Sequence, residues 1–161
     1  MRFKAKEGLY VFIVIIVFIA VGFLRDAVFM SINSQLYKLY FKNYEYTLPS
    51  WLSIFDTWPY MKLYYFKYVL TGLFVIIYLV LSLLTVKLFT GASKNMKWVF
   101  YAYGIVLFLS IVTYIGGYAL NNFPKGFIFT RNLLGLLQSP FITMIIIPAL
   151  KLEHHSSDNK T

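Results

Sequence analysis

Residues 129–150 read FTRNLLGLLQSPFITMIIIPAL, a run fit for lipid at most positions yet interrupted by an arginine, an asparagine, a glutamine, a serine and a proline. On a continuous helix each residue turns by about 100°, which gathers Arg131, Asn132, Gly135, Gln138, Ser139 and Thr143 into one arc of roughly 140°. The rest of the perimeter is mostly Leu, Ile, Phe and Met. Polar groups at membrane depth avoid lipid, so this face is expected to pack on protein or line a small wet cavity. Pro140 adds a break: it has no N–H for the Leu136 carbonyl and its ring crowds that carbonyl. A kink near mid-membrane follows, and the freed carbonyl needs a partner from Ser139, Gln138, a neighbouring helix or water. Pro148 is expected to shape the far end of the span.

The rest of the chain has the same character. Of its 161 residues 60% are hydrophobic and 20% aromatic, only 13% are charged, and the mean hydropathy is +0.69. A soluble fold cannot bury so much apolar surface. Three further apolar runs, 8–24, 69–86 and 99–120, join 133–150, each near the length that crosses the roughly 30 Å hydrocarbon core of a bilayer. In lipid a backbone must satisfy its own hydrogen bonds, and the alternation of a barrel strand is absent, so each run is read as a helix. The expected fold is all-α, a polytopic membrane protein with four transmembrane helices in one domain over 1–150 and a polar cytoplasmic tail over 151–161. The absence of cysteine excludes thiol catalysis, disulfides and thiolate metal sites. The net charge of +9 comes from residues that flank the apolar runs, which points to membrane lipids and not to nucleic acid.

The basic leader MRFKAK before the first run would also suit a signal peptide, but no small-x-small cleavage site follows and an uncleaved span is expected. With the N-terminus inside, the inner segments hold eight Lys and Arg and the longer outer segments seven, so the basic density is higher inside. Both termini are accordingly expected in the cytoplasm.

The first external segment, 25–67, is strongly aromatic. From Asp26 as N-cap, Phe29, Ile32, Leu36, Leu39 and Tyr40 recur at helical spacing, with Ser31, Ser34, Gln35, Lys38 and Lys42 opposite and Asn33 interrupting the apolar face. LPSWLSIFDTW suggests a second short helix opened by Pro49, its tryptophans in the interfacial belt. A pair of interfacial helices on the membrane is the expected result.

Several polar residues are candidates for packing or binding. Thr71, Tyr78, Ser82 and Thr85 share a face of the second span, and Ser110, Thr113 and Gly117 share one of the third, with Gly104 and Gly116 nearby. Small and hydroxylated residues at such spacings let helices approach and hydrogen-bond. Arg131 is either an interface anchor or an inward-turned cation that pairs with Asp26 or takes an anionic group, with Arg25 as a second arginine at that level. Lys67 reads as a snorkelling residue at the outer end of the second span or as a buried one beside the loop. His154 and His155 are the only histidines and lie in the tail, so neither a metal site nor a catalytic set is formed, and no cofactor is implied.

The order of these features resembles the exosortase F-associated membrane proteins of Bacteroidetes, short four-span proteins found with a membrane transpeptidase that processes sorting signals. The resemblance rests on a first span closed by Arg25, an aromatic segment with Leu48 and Pro49, a second span opened by Lys67 and Tyr68, and a last span with Arg131, Pro140 and the closing Ile147, Pro148 and Ala149. It implies an accessory role in a bacterial inner membrane beside a larger membrane protein or complex, with the aromatic segment as docking surface. Exosortases use a Cys, Arg and His set within the membrane; this chain has no cysteine and no membrane histidine, so it is not the transpeptidase. The alternative expectation is a protein that binds a lipid or small anionic ligand through Arg25, Arg131 and Lys67, with Asn132 and Gln138 nearby.

Overall fold

The computed structural model describes residues 5–42, 50–90 and 95–158. It is all-helical: α1 (Ala5–Phe41), a short 3-10 helix (Ser50–Phe55), α2 (Tyr60–Thr90), α3 (Met96–Ala119), α4 (Phe123–Leu137) and α5 (Phe141–Asp158). α1, α2 and α3 are long and apolar enough to cross a membrane, and α4 with the Phe141–Leu150 part of α5 makes a fourth candidate span if the bent pair is counted as one. The chain divides into two compact units, one formed by Ile15–Phe74 and the other by Val75 onward with the start of α1.

In the Ile15–Phe74 unit, α1 does not stop at Leu24. It runs through Asp26 to Phe41, so Asp26 caps no separate interfacial helix. The reason is local: after Gly22 no glycine or proline interrupts the helix, and the Asp26 carboxylate is taken by its neighbour, with Arg25 Nη2 at 2.6 Å and Nε at 2.9 Å. The second short helix expected in this stretch is present as a 3-10 helix, followed by turns in which Asp56 N–H bonds the Ser53 carbonyl (3.0 Å) and Trp58 N–H the Phe55 carbonyl (3.2 Å). Pro49 lies outside the described residues. Pro59 then supplies the first carbonyl of α2, to Leu63 N–H at 3.2 Å, in the position before a helix where a missing N–H costs nothing.

The core of this unit is Ile32, Leu36 and Leu63, surrounded by Val28, Leu39, Phe55, Trp58, Tyr60, Phe66 and Leu70. Phe29 meets Phe74 at 5.8 Å and Tyr40 meets Tyr60 at 6.1 Å, which makes α1 and the start of α2 antiparallel neighbours. The inward face of α1 is rotated from the expected one: Ser31 and Gln35 are buried beside Ile32 and Leu36, while Tyr40 is exposed. Gln35 is 1% exposed and its Oε1 has no hydrogen-bond partner. An unsatisfied buried acceptor costs about 1–3 kcal/mol, so Gln35→Met, of similar volume, is expected to stabilise the protein by about 1 kcal/mol. Thermal unfolding in detergent followed by circular dichroism checks this; a lower midpoint would show that the amide is needed.

The second unit is centred on Val86, Val99, Tyr103, Leu137, Ile142, Ile146 and Leu150, contributed by α2, α3, α4 and α5. The fours in 99/103 and 142/146/150 are the spacing of a single helix face. α3 and α4 form an antiparallel hairpin over a tight turn in which Asn121 takes a left-handed φ of 51°, a conformation asparagine tolerates better than most residues. α4 begins at Phe123, a full helix segment earlier than the expected 133, with Pro124 in its first turn, where proline is at home. α5 continues to Asp158, so residues 151–158 of the expected polar tail are helical.

Candidate functional site

The break between α4 and α5 brings the second unit's polar atoms together. α4 and α5 meet at 58°. The single arc projected for 131–143 is therefore divided: Arg131 and Asn132 are exposed on α4, whereas Gln138 at the bend and Thr143 on α5 are buried. Projection assumed one straight axis, and Pro140 removes it. Gly135 is half-buried, with nothing near the place of a Cβ.

Several of the backbone groups released by the break are taken up. Gln138 N–H is shared between the Leu134 and Gly135 carbonyls, both at 3.2 Å. The Leu136 carbonyl, deprived of a donor by Pro140, accepts from Ser139 Oγ at 2.8 Å. The same Ser139 oxygen faces Phe141 N–H at 3.4 Å, and Met144 N–H bonds the Pro140 carbonyl at 3.0 Å, restarting the helix as α5. The Leu137 carbonyl finds its donor on another helix, the Tyr103 hydroxyl of α3, at 3.3 Å.

That hydroxyl belongs to a knot of three. Thr143 Oγ1 on α5 donates to Ser82 Oγ on α2 at 2.7 Å, Ser82 Oγ donates to the Tyr78 carbonyl at 2.7 Å, and Tyr103 OH stands 3.2 Å from Ser82 Oγ. Each hydroxyl carries one proton. With Ser82 giving its own to Tyr78, the Tyr103 proton is divided between Ser82 Oγ and the Leu137 carbonyl, consistent with both distances exceeding 3 Å. Ser82 is 0% exposed and Tyr103 and Thr143 are each 3% exposed. Three hydroxyls thus tie α2, α3 and the two halves of the bent pair at one point.

A second polar contact holds the α3–α4 hairpin. Thr113 Oγ1 and Thr130 Oγ1 are 3.0 Å apart, and each also reaches the Ser110 carbonyl, at 3.0 and 3.2 Å. Further along, Gly117 and Gly126 bring the two backbones together: a Cβ on either would stand 2.6 Å from the other's Cα. Gly104 and Gly116 have open space instead. Ser110 and Thr85 are buried, with their hydroxyls on the carbonyls four residues back, at 2.8 and 2.6 Å.

The remaining candidates lie in the Ile15–Phe74 unit. Arg25 is paired with Asp26. Lys67 is half-buried, and its carbonyl accepts from Thr71 Oγ1 at 2.9 Å. Sequence reasoning missed Tyr103, Gly126 and Thr130. For Tyr103 a signal existed, since it lies seven residues before Ser110 and fourteen before Gly117, on the same stripe of α3. Gly126 and Thr130 were hidden because 121–132 reads as a connection.

The chemistry of the site is neutral. Beside the phenols of Tyr78 and Tyr103, the polar side chains buried among the residues of described exposure are Ser31, Gln35, Ser82, Thr85, Ser110, Gln138 and Thr143, all hydroxyls or amides. No group of three or more potential metal ligands from His, Cys, Asp and Glu occurs among the described residues. What the knot does is hold a broken helix in place. Comparison with protein-family models, curated proteins and solved structures found no match to this chain.

Proposed function

We propose that the chain is a non-enzymatic subunit of a bacterial inner membrane, with both termini cytoplasmic, that docks beside a larger membrane protein engaged in protein sorting or export. The observation that carries this reading is the self-contained polar interior. Ser82, Tyr103, Thr143 and the carbonyls at the break spend their hydrogen bonds on one another, which suits architecture and leaves chemistry to a partner. The resemblance in feature order to proteins that accompany a membrane transpeptidase supports the same role. Arg25 is then neutralised by Asp26, and Arg131, exposed on α4, acts as an anchor at the membrane surface.

The outward face of α3 suits a docking helix. Exposed Gly104 has open space where a side chain would lie, between exposed Tyr101 and Phe108 on the same side of the helix. Small residues of this kind let a neighbouring membrane helix come close. A photo-crosslinking residue at Phe108, activated in cells, is expected to give an adduct with a larger membrane protein, and Gly104→Leu is expected to reduce that adduct several-fold while the protein still folds. Recovery of the uncrosslinked monomer alone would overturn the proposal.

A further inference from the structure

Residues 29–68 carry four lysines, Lys38, Lys42, Lys62 and Lys67, against two acids, Glu45 and Asp56. Two of the lysines are brought together by the antiparallel pairing of α1 and α2. Tyr40 and Tyr60 meet ring to ring at 6.1 Å. Two residues further toward the hairpin's interior on each helix lie Lys38 and Lys62, an axial step of about 3 Å on both, so the two are level. At about 100° per residue, each is also turned by about 90° from the buried stripe of its own helix, Ser31–Ile32–Gln35–Leu36 on α1 and Leu63–Phe66–Leu70–Phe74 on α2. Because the helices run in opposite directions, those two offsets fall on the same flank of the hairpin.

The same flank changes character along its length. Below the lysines on α1 comes Ser34, whose hydroxyl bonds the Met30 carbonyl at 2.9 Å. On α2 the positions that follow are Val69 and Leu73, 65% and 49% exposed. Charge, then hydroxyl, then exposed aliphatic surface is the order of polarity along a phospholipid from phosphate through glycerol to acyl chain.

The depth agrees. α2 has 31 residues, a length of about 46 Å against the roughly 40–45 Å of a bilayer with its headgroups. With 69–86 filling the hydrocarbon, Lys62 lies about 10 Å beyond it along the axis, among the headgroups. There its Nζ is positioned 4.2 Å from the centroid of the Trp58 ring. Trp58 is itself held edge-on by Phe55 and Phe66, at 4.8 and 5.1 Å. A cation over an aromatic face retains its charge and its outward N–H donors.

We propose that this flank of the α1–α2 hairpin is a binding site for one anionic phospholipid, its phosphate held by Lys38 and Lys62 and its acyl chain lying along Val69 and Leu73. The proposal is independent of the docking role assigned to α3. Its test is native mass spectrometry of the full chain purified in mild detergent with equal amounts of phosphatidylglycerol and phosphatidylcholine. Two phosphate-facing lysines correspond to a preference of about thirtyfold for the anionic lipid. The wild type and Arg131→Gln are expected to show it, and Lys38→Gln/Lys62→Gln to lose it at unchanged helicity and elution volume. If the double variant does not fold, photoactivatable phosphatidylglycerol on the wild type replaces it, with adducts expected on peptides covering 60–73. Equal retention of both lipids by the wild type, an unchanged preference in the double variant, or adducts mapping elsewhere would each overturn the proposal. So would an acidic protein crosslinked at Lys62 in place of lipid.

Discussion

Gly126→Ala is expected to be among the most damaging single substitutions in the chain, lowering stability by about 3 kcal/mol, at the upper end of the usual cost of overpacking. The added methyl would stand 2.6 Å from the Gly117 Cα and 2.9 Å from the Thr113 carbonyl oxygen. All of these are backbone atoms of a helix, which cannot rotate aside as a side chain can. Relief requires α3 and α4 to separate, and separation also pulls Thr130 from Thr113 and from the Ser110 carbonyl, now 3.0 and 3.2 Å away. Gly117→Ala meets the same backbone from the other side and is expected to cost a similar amount. Gly104→Ala provides the contrast: nothing lies within 4 Å of its Cβ position, so helix propensity alone acts, a gain of about 0.5–1 kcal/mol. Unfolding midpoints of the three variants in one detergent separate steric from propensity effects. Equal midpoints for Gly126→Ala and Gly104→Ala would refute the close crossing.

The α3 side of that crossing was legible because Ser110, Thr113 and Gly117 repeat at threes and fours, a spacing that survives whatever the helix packs against. The α4 side was not. NNFPKG looks like a connection, yet Pro124 in a first turn opens a helix, and only the partner's position reveals that Gly126 and Thr130 face it. The same limit explains α1. Arg25 and Asp26 look like the end of one helix and the cap of another, but adjacent opposite charges satisfy each other without turning the chain. Which stripe of α1 is buried was settled by Leu63 and Phe66 of α2, and these drew in Ser31 and Gln35, which periodicity had set on the opposite face, and left Tyr40 exposed. Pro140 announced the kink, whereas the division of the polar arc between two axes followed from the size of the bend, which no local residue pattern encodes.

Removing the Tyr103 side chain is the second large effect, and a two-step series separates its causes. Tyr103→Phe keeps the ring among Val99, Leu137 and Ile142 and deletes only the hydroxyl. The Leu137 carbonyl then loses its donor at a buried position, and Ser82 loses one neighbour but keeps Thr143 as donor and the Tyr78 carbonyl as acceptor. The expected loss is about 1–2 kcal/mol, since hydrogen bonds inside membrane proteins are individually modest. Tyr103→Ala adds a cavity where α2, α3, α4 and α5 converge, for a total of about 3–5 kcal/mol. The helix break makes the hydroxyl matter more than an ordinary interhelical bond: an unbroken span would return the Leu137 carbonyl to its own helix, whereas here it depends on α3. Pairing Tyr103→Phe with Thr143→Val measures that dependence. If the knot acts as a unit, the double variant loses less than the sum of the two singles, because the first removal has already loosened the bend. Strict additivity in the unfolding free energies would mean that the two hydroxyls hold α5 independently and that the bend is set by Pro140 alone.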